Sequence, residues 1–200
     1  MPTSGHLVAF ALVSLGMVLT PGPNMIYLVS RSLCQGRRAG LISLGGVALG
    51  FVFYMLCAAF GITALLVAVP YAYDALRIAG AAYLLWMAWQ AVRPGGRSPF
   101  QVRDLPPDSP RRLFAMGFVT NLLNPKIGVF YVSFLPHFVA QGVPAGPFLV
   151  LLAALHGLIG LTWFALLILA TRPLARALKR PAVVRWLDRV TGGVFIAFAA

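Results

Sequence analysis

The sequence predicts an all-α integral membrane protein whose six transmembrane helices form two inverted three-helix repeats, with the first and fourth helices broken. Three observations lead to this fold class. The 200-residue chain is 60% hydrophobic and contains only 4 acidic residues, too few to cover the surface of a soluble domain of this size. Basic residues concentrate in alternate linkers between apolar segments. Proline-containing breaks interrupt two of these segments at matching positions.

Six apolar segments follow one another along the chain. Their predicted ranges are 6–30, 41–69, 71–92, 113–139, 147–170 and 182–200. The sixth is short for a span, because 11 residues follow Arg189 and about 20 are needed to cross the hydrocarbon core. Either the charged residues near its start lie among the lipid headgroups, or the natural chain continues past Ala200. We expect the second.

The linkers between these segments differ in charge. Of the 16 Lys and Arg residues, 14 lie in three linkers, within residues 31–38, 93–112 and 172–189. The two remaining basic residues are Arg77, on the opposite side of the membrane, and Lys126, within the fourth segment. Because cytoplasmic loops carry an excess of Lys and Arg, the three basic linkers are predicted to be cytoplasmic. Both termini are then predicted to lie outside, in the periplasm.

The linker 93–112 divides the chain into two halves. It is rich in proline, glycine and charge, which predicts a flexible cytoplasmic loop. We expect a single transmembrane transporter domain over residues 1–200, with a first three-helix repeat at 1–92 and a second at 113–200. Because three is odd, the second set enters the membrane upside down relative to the first, as in inverted-repeat transporters.

Each half begins with a broken helix. The first break is TPGPN, starting at Thr20, and the second is TNLLNPK, starting at Thr120. Backbone freed by such a break is tolerated in a membrane only where it is buried in protein or lines a wet cavity. The free N-terminus of a half-helix suits a carboxylate or another anion. The breaks therefore predict a substrate-binding site, whose candidate residues are Pro21, Gly22, Pro23, Asn24, Asn121, Asn124, Pro125 and Lys126.

The two asparagines that flank the prolines are candidate helix caps. Asn24 is well placed to cap the half-helix that follows Pro23, and Asn124 stands immediately before Pro125. The alternative is that the prolines only kink the helices to improve packing. That explanation is preferred for a single proline. A Pro-Gly-Pro run with a matching break in the other half favours a ligand site instead.

Lys126 and two further side chains, His156 and Tyr54, are the other candidates weighed for this site. Lys126 has about a dozen apolar residues on each side, which disfavours the alternative that its amine snorkels to an interface. A substrate carboxylate is its candidate partner, or the amine is neutral when the site is empty. His156 is the proton-coupling candidate, although a packing role is slightly favoured. Tyr54 is a candidate hydrogen-bond donor into the cavity, with core packing equally weighted.

Other classes of function find little support in the sequence. No GxSxG, HExxH or pair of membrane acids is present, so we expect no enzyme. Cys34 and Cys57 lack metal-ligand spacing and are read as free thiols, and no metal or other cofactor is predicted. The basic residues flank apolar spans, which disfavours nucleic-acid binding. Gly46 and Gly50 form a GxxxG pair that predicts close helix packing, with a homodimer seam as the alternative.

Four stretches of the sequence are similar to one known family. TPGPN, GRRAGLISLGGVALG, AGAAYLLWMAW and GFVTNLLNPKIGVFYVSFLPHF resemble the LysE/RhtB family of bacterial amino-acid exporters. The resemblance runs through most of the chain. It implies secondary active efflux of amino acids or close derivatives across the bacterial inner membrane, driven by the proton-motive force. By this resemblance the signature positions are Pro21, Gly22, Pro23, Asn24, Asn124, Pro125 and Lys126.

The chain also departs from that family. Many relatives carry an aspartate where this sequence has Asn24, and an acidic residue or histidine within the stretch 51–54, where this sequence has neither. Because these carboxylates are missing, we expect a neutral amino acid or a neutral derivative rather than a cationic one. Two alternatives remain: an exporter of metal or other small cations, which would need oxygen ligands, and a membrane scaffold that transports nothing.

Overall fold

The computed structural model describes residues 4–62, 107–139 and 143–171, with single helical positions between residues 71 and 89 and between 182 and 196. All regular secondary structure in these ranges is helical. The helices are α1 Ser4–Leu19, α2 Pro23–Gln35, α3 Arg37–Leu56, α4 Pro110–Leu122, α5 Pro125–Val129 and α6 Ala145–Leu169. A π-helix over Cys57–Ile62 continues α3, and a π-helix over Phe130–Phe134 followed by a 3-10 turn over Leu135–Phe138 continues α5.

The described helices include candidate membrane spans. Two are long and apolar enough, one within Pro23–Gly61 and the other at Ala145–Leu169, each with a mean hydropathy of 2.1. The pair Pro110–Leu122 and Pro125–Phe138 adds a third if it is one span bent by 45°. The chain is therefore a helical membrane protein. Only scattered helical positions of the predicted segments 71–92 and 182–200 are described, so the six-helix inverted repeat stays a prediction.

Both predicted breaks are confirmed. The predicted first segment is divided between α1 and α2, and the predicted fourth between α4 and α5 with its continuation. Pro23 and Pro125 each stand at the first turn of the second half-helix. Proline is tolerated there because the N–H it lacks has no partner within the helix.

A tight hairpin at Gly36 joins α2 to α3. Gly36 has a φ of 86°, which a residue without Cβ adopts readily. The two helices run antiparallel, because the Tyr27 hydroxyl lies 3.1 Å from Ser43 Oγ. The same hydroxyl donates to the Leu113 carbonyl at 2.8 Å, so one side chain of α2 ties together α3 and the start of α4.

Glycines bring α3 and α4 into close contact, as the GxxxG pair predicts. A Cβ on Gly46 would overlap the main chain of Phe114, and a Cβ on Gly50 would lie 2.6 Å from Asn121 Oδ1. Gly117 of α4 makes the reciprocal approach to the main chain of α3. Because α4 of the same chain occupies this face, the alternative reading as a homodimer seam is wrong. A homodimer stays a prediction and needs another surface.

The end of the predicted loop 93–112 is more ordered than predicted. Residues 110–112 already belong to α4, and the helix is capped because the Ser109 hydroxyl accepts from the Arg112 amide at 3.3 Å. Asp108, whose side chain is 4% exposed, forms ion pairs with Arg31 of α2 and with Arg112. Gln35 also bonds to Asp108. A buried carboxylate needs such partners, and they fix the loop end against α2.

Candidate functional site

Lys126 connects the two helix breaks. Its side chain is buried, and Nζ donates to the carbonyl oxygens of Met17 at 2.9 Å and Thr20 at 2.7 Å. A helix leaves its last carbonyls without partners inside the helix, and α1 ends at Leu19 because of the following break. A cation at a helix C-terminus bonds such carbonyls and complements the partial negative charge of that end. Lys126 thus satisfies the backbone that the first break frees.

Gly22 allows this contact by its lack of a side chain. A Cβ at this position would lie 3.2 Å from both Cε and Nζ of Lys126. Its φ of −163° is ordinary extended backbone, so the glycine is needed for close approach rather than for conformational freedom. The Pro-Gly-Pro run therefore has two effects. The prolines interrupt the helix, and the glycine leaves room for the lysine side chain.

The two candidate caps have different outcomes. Asn124 is the N-cap of α5, and its side-chain oxygen accepts from the Lys126 amide at 3.1 Å. The prediction that Asn24 caps α2 was wrong. The N-cap is Gly22, because Pro23 is already helical, and Asn24 therefore lies two positions past the cap. Within the described part of the chain, neither amide atom of the buried Asn24 side chain has a hydrogen-bond partner.

A small cavity lies between the breaks. Its volume is about 10 Å³, which holds about one water molecule. Polar groups on its wall come from α2, α5, α6 and the two breaks: Gly22, Asn24, Asn124, Lys126 and His156. The apolar part of the wall includes Met17, Met25, Phe51, Ile127 and Phe164. The arrangement is a closed one, with unpaired amide groups facing aromatic and aliphatic side chains.

His156 packs among aromatic rings. Its centroid is 4.3 Å from that of Phe130, 5.6 Å from that of Tyr131 and 5.8 Å from that of Phe51. The side chain is fully buried, and neither ring nitrogen bonds to any residue in the ranges that the structure describes. The packing role that the sequence slightly favours is therefore evident. The proton-coupling role stays a prediction.

The other predicted site residues lie beside the cavity rather than on its wall. The Tyr54 hydroxyl donates to the Leu122 carbonyl at 2.9 Å, at the end of α4. Asn121 is fully buried against Gly50, and its amide lacks a partner among the described residues. Pro21, Pro23 and Pro125 shape the breaks without lining the cavity.

Sequence reasoning missed two kinds of contributor. Phe51 and Phe164 form much of the apolar wall, and nothing distinguishes them in the sequence from other apolar residues of a membrane helix. The carbonyls of Met17 and Thr20 are main-chain groups, so no residue type marks them. The only signal available for them was the position of the break, one residue after α1 ends.

Comparison with known proteins supports one family. The model of the LysE type translocator family matches residues 15–200. The leucine efflux protein of Enterobacter sp. (strain 638) is 28% identical over 196 residues, covering 92% of this chain and 88% of that protein. An uncharacterized membrane protein of Pseudomonas aeruginosa, PA4757, is 30% identical over 210 residues, covering 99% and 95%. No solved structure matches.

A further relative matches over a shorter stretch. The uncharacterized membrane protein YahN of Escherichia coli (strain K12) is 37% identical over 114 residues, 56% of this chain and 51% of that protein. The family match and the efflux names indicate a transporter and not an enzyme. Because the family model covers nearly the whole sequence, this chain belongs to the LysE type translocator family.

Proposed function

We propose that this protein is a secondary active exporter of a neutral amino acid, or a neutral amino-acid derivative, in the bacterial inner membrane. Membership of the LysE type translocators and the leucine efflux proteins of Enterobacter and Klebsiella support export of an amino acid. The observation that carries the site assignment is the meeting of two helix breaks at a cavity lined by unpaired buried amides.

The polar groups of this cavity suit the carboxylate of an amino acid. The N-terminus of α2 offers unpaired main-chain N–H groups, which favour an anion. The amide nitrogens of Asn24 and Asn124 are buried and unpartnered within the described ranges. Lys126 has three N–H donors and uses two of them on Met17 and Thr20. One ammonium N–H is therefore left for a ligand oxygen.

The apolar wall supports a neutral side chain. Phe51, Phe164 and Ile127 line the same cavity as the amides, and no acidic residue is among the described lining residues. A second ammonium on the substrate would meet no carboxylate there, and burying an unpaired charge is unfavourable. An aliphatic side chain gains free energy from the same wall.

Transport requires that this cavity open. A volume of about 10 Å³ cannot hold an amino acid, so the present arrangement corresponds to a closed step of the cycle. In the proposed mechanism the two inverted halves rock around the breaks and expose the site first to the cytoplasm and then outward. A proton returning inward, along the proton-motive force, resets the carrier. Both termini lie outside in this topology.

Substrate-resolved efflux tests the proposal. Cells with and without the protein are loaded with a panel of amino acids and dipeptides, and release is followed with the proton gradient intact or collapsed. We expect gradient-dependent release of one neutral amino acid, lost in Asn24→Ala. Ser32→Ala is the matched control, because Ser32 is also buried on α2 and, among the described residues, its hydroxyl bonds to the Leu28 carbonyl of its own helix. Release of no panel member would contradict the proposal and favour a membrane scaffold.

A further inference from the structure

The ammonium of Lys126 lies where a free cation would bind the end of a broken helix. Nζ contacts the carbonyl oxygens of Met17 and Thr20 at 2.9 and 2.7 Å, and both oxygens belong to the C-terminal end of α1. Such an end carries partial negative charge. In transporters with discontinuous helices, these ends and the adjacent unwound carbonyls coordinate the coupling Na⁺ or H⁺.

Lys126 reaches this place from the other half of the chain. It follows Pro125 at the start of α5, where the Asn124 cap fixes its main-chain amide. Its stem passes over Gly22 in the first break. One side chain therefore bridges both breaks. The strength of this contact depends on a single proton, because a neutral amine keeps two N–H donors but loses the charge that the helix end favours.

Few charged or titratable groups surround this ammonium. His156 of α6 lines the same cavity and is the titratable side chain that faces it there. The described lining contributed by α1, α2 and α3 includes Met17, Asn24 and Phe51, none of which titrates. In the described part of the site, main-chain carbonyls rather than a carboxylate thus balance the charge of Lys126.

We propose that Lys126 is a tethered replacement for a coupling cation. Its ammonium holds the C-terminal carbonyls of α1 as Na⁺ would, and loss and gain of its proton release and re-form the contact between the two breaks. This inference rests on the proposed function, because it names the group that carries the coupled proton. It assigns that proton to Lys126 rather than to His156, whose ring serves packing.

The first test measures cation binding without measuring transport. Parent protein, Lys126→Ala and Ser32→Ala are purified in detergent, and thermal unfolding midpoints are compared in choline, sodium and ethylammonium chloride at equal ionic strength. Choline is too bulky for the vacated space, whereas Na⁺ and ethylammonium match the missing charge. We expect one midpoint in all three salts for the parent and for Ser32→Ala. For Lys126→Ala we expect a lower midpoint that Na⁺ or ethylammonium raises by several degrees.

Either of two results in this assay overturns the tethered-cation assignment. One is a Lys126→Ala midpoint that neither small cation raises, and the other is a parent midpoint that Na⁺ raises. Neither result bears on amino-acid export, which the assay does not measure. If Lys126→Ala does not fold, the assignment is tested by the efflux of the parent protein. Its efflux should be equal in sodium-free and sodium-containing media, and a requirement for Na⁺ overturns the assignment.

The second test separates proton coupling from substrate binding. Lys126→Arg keeps a positive charge and N–H donors, but a guanidinium does not release its proton in proteins. In proteoliposomes we expect this variant to retain exchange of labelled for unlabelled substrate, which needs no net proton movement, and to lose proton-driven net efflux. Unchanged proton-driven efflux overturns the proposal. Loss of exchange together with efflux also overturns it, because a purely structural role of Lys126 then suffices.

Discussion

The ammonium of Lys126 donates a 2.7 Å hydrogen bond to the main-chain carbonyl of Thr20, and this contact joins the two helix breaks of the chain. The carbonyl has no partner within α1 because the helix ends just before it. The donor is available because Pro125 and the Asn124 cap restart a helix at the lysine. Each break thus supplies what the other lacks, an acceptor from the first and a donor from the second.

Removing the amine should destabilise the fold. Lys126→Met keeps an apolar stem but leaves the carbonyls of Met17 and Thr20 without their donor. Buried acceptors that lose a partner cost about 1–3 kcal/mol, and we expect the free energy of unfolding in detergent to fall by about that amount. Denaturant titration measures the change, with Ser32→Ala as the control. Unfolding curves for Lys126→Met that superimpose on those of the parent would refute the bridging role.

A methyl group at Gly22 should displace the lysine. A Cβ there lies 3.2 Å from Lys126 Nζ, whereas a Cβ on Gly16 meets no described atom within 4 Å. We expect Gly22→Ala to lower the proposed efflux by about tenfold or more, because small misplacements of positioned groups have effects of that order. Gly16→Ala should export normally, which makes it the matched control. Equal efflux from the two variants would contradict the close approach at Gly22.

The buried ion pair between Arg31 of α2 and Asp108, at the loop end before α4, should contribute much more to stability than the exposed pair beside it. The Arg31 and Asp108 side chains are 8% and 4% exposed, while that of Arg112 is 69% exposed. Breaking a buried pair on one side costs about 3–5 kcal/mol, because the other charge is left buried. We expect Asp108→Ala to destabilise by roughly this amount.

Arg112→Ala provides the comparison for that measurement. Exposed pairs contribute about 0–1 kcal/mol, so its unfolding free energy should stay close to that of the parent. A double variant, Arg31→Met with Asp108→Ala, should recover part of the loss by removing both charges. If Asp108→Ala is no less stable than Arg112→Ala, the ion pair does not hold the loop end.

The contact between α3 and α4 should distinguish two adjacent glycines. A Cβ on Gly46 would overlap the Phe114 carbonyl and lie 2.7 Å from the Phe118 amide, whereas a Cβ on Gly45 would make an ordinary 3.4 Å contact with the Phe114 ring. Overpacking costs about 1–3 kcal/mol, so Gly46→Ala should lower the unfolding midpoint. Gly45→Ala should be neutral or stabilising, since alanine favours helix over glycine by about 1 kcal/mol. A lower unfolding midpoint for Gly45→Ala than for Gly46→Ala would contradict the close contact between α3 and α4 at Gly46.

The helix breaks and the polar residues of the site could be predicted from the sequence. Both depend on residue types, such as proline and lysine, that fit only a few environments in a membrane helix. Proline has no N–H, and a lysine far from any interface needs a partner, so Pro21, Pro125 and Lys126 stand out in an apolar chain. The identity of the partner did not follow from the sequence. The sequence leaves a substrate carboxylate and a neutral amine as alternatives for Lys126, and the structure supplies main-chain carbonyls, which every residue has.

The prediction for Asn24 failed for a local reason. Capping depends on the register of the helix start to within one residue, and Pro23 fixes that start two positions earlier than a cap at Asn24 requires. The apolar wall could not be predicted either. Phe51 belongs to a helix that is apolar along most of its length, so only the packing of α3 against α6 selects it from its neighbours. Two helix starts, at Pro110 and Ala145, were predicted to within about three residues, whereas α2 extends to Gln35, past the predicted end at residue 30.

Counterflow in proteoliposomes tests most directly whether the meeting point of the two breaks is a substrate site. Vesicles loaded with the unlabelled neutral amino acid that the efflux panel identifies are given its labelled form outside, and uptake by exchange is followed for the parent, Asn24→Ala, Lys126→Ala and Ser32→Ala. A site formed by the breaks predicts exchange by the parent and by Ser32→Ala, and its loss in the other two variants. Equal exchange by all four proteins would show that the substrate binds elsewhere, and the breaks would then serve only the packing of the fold.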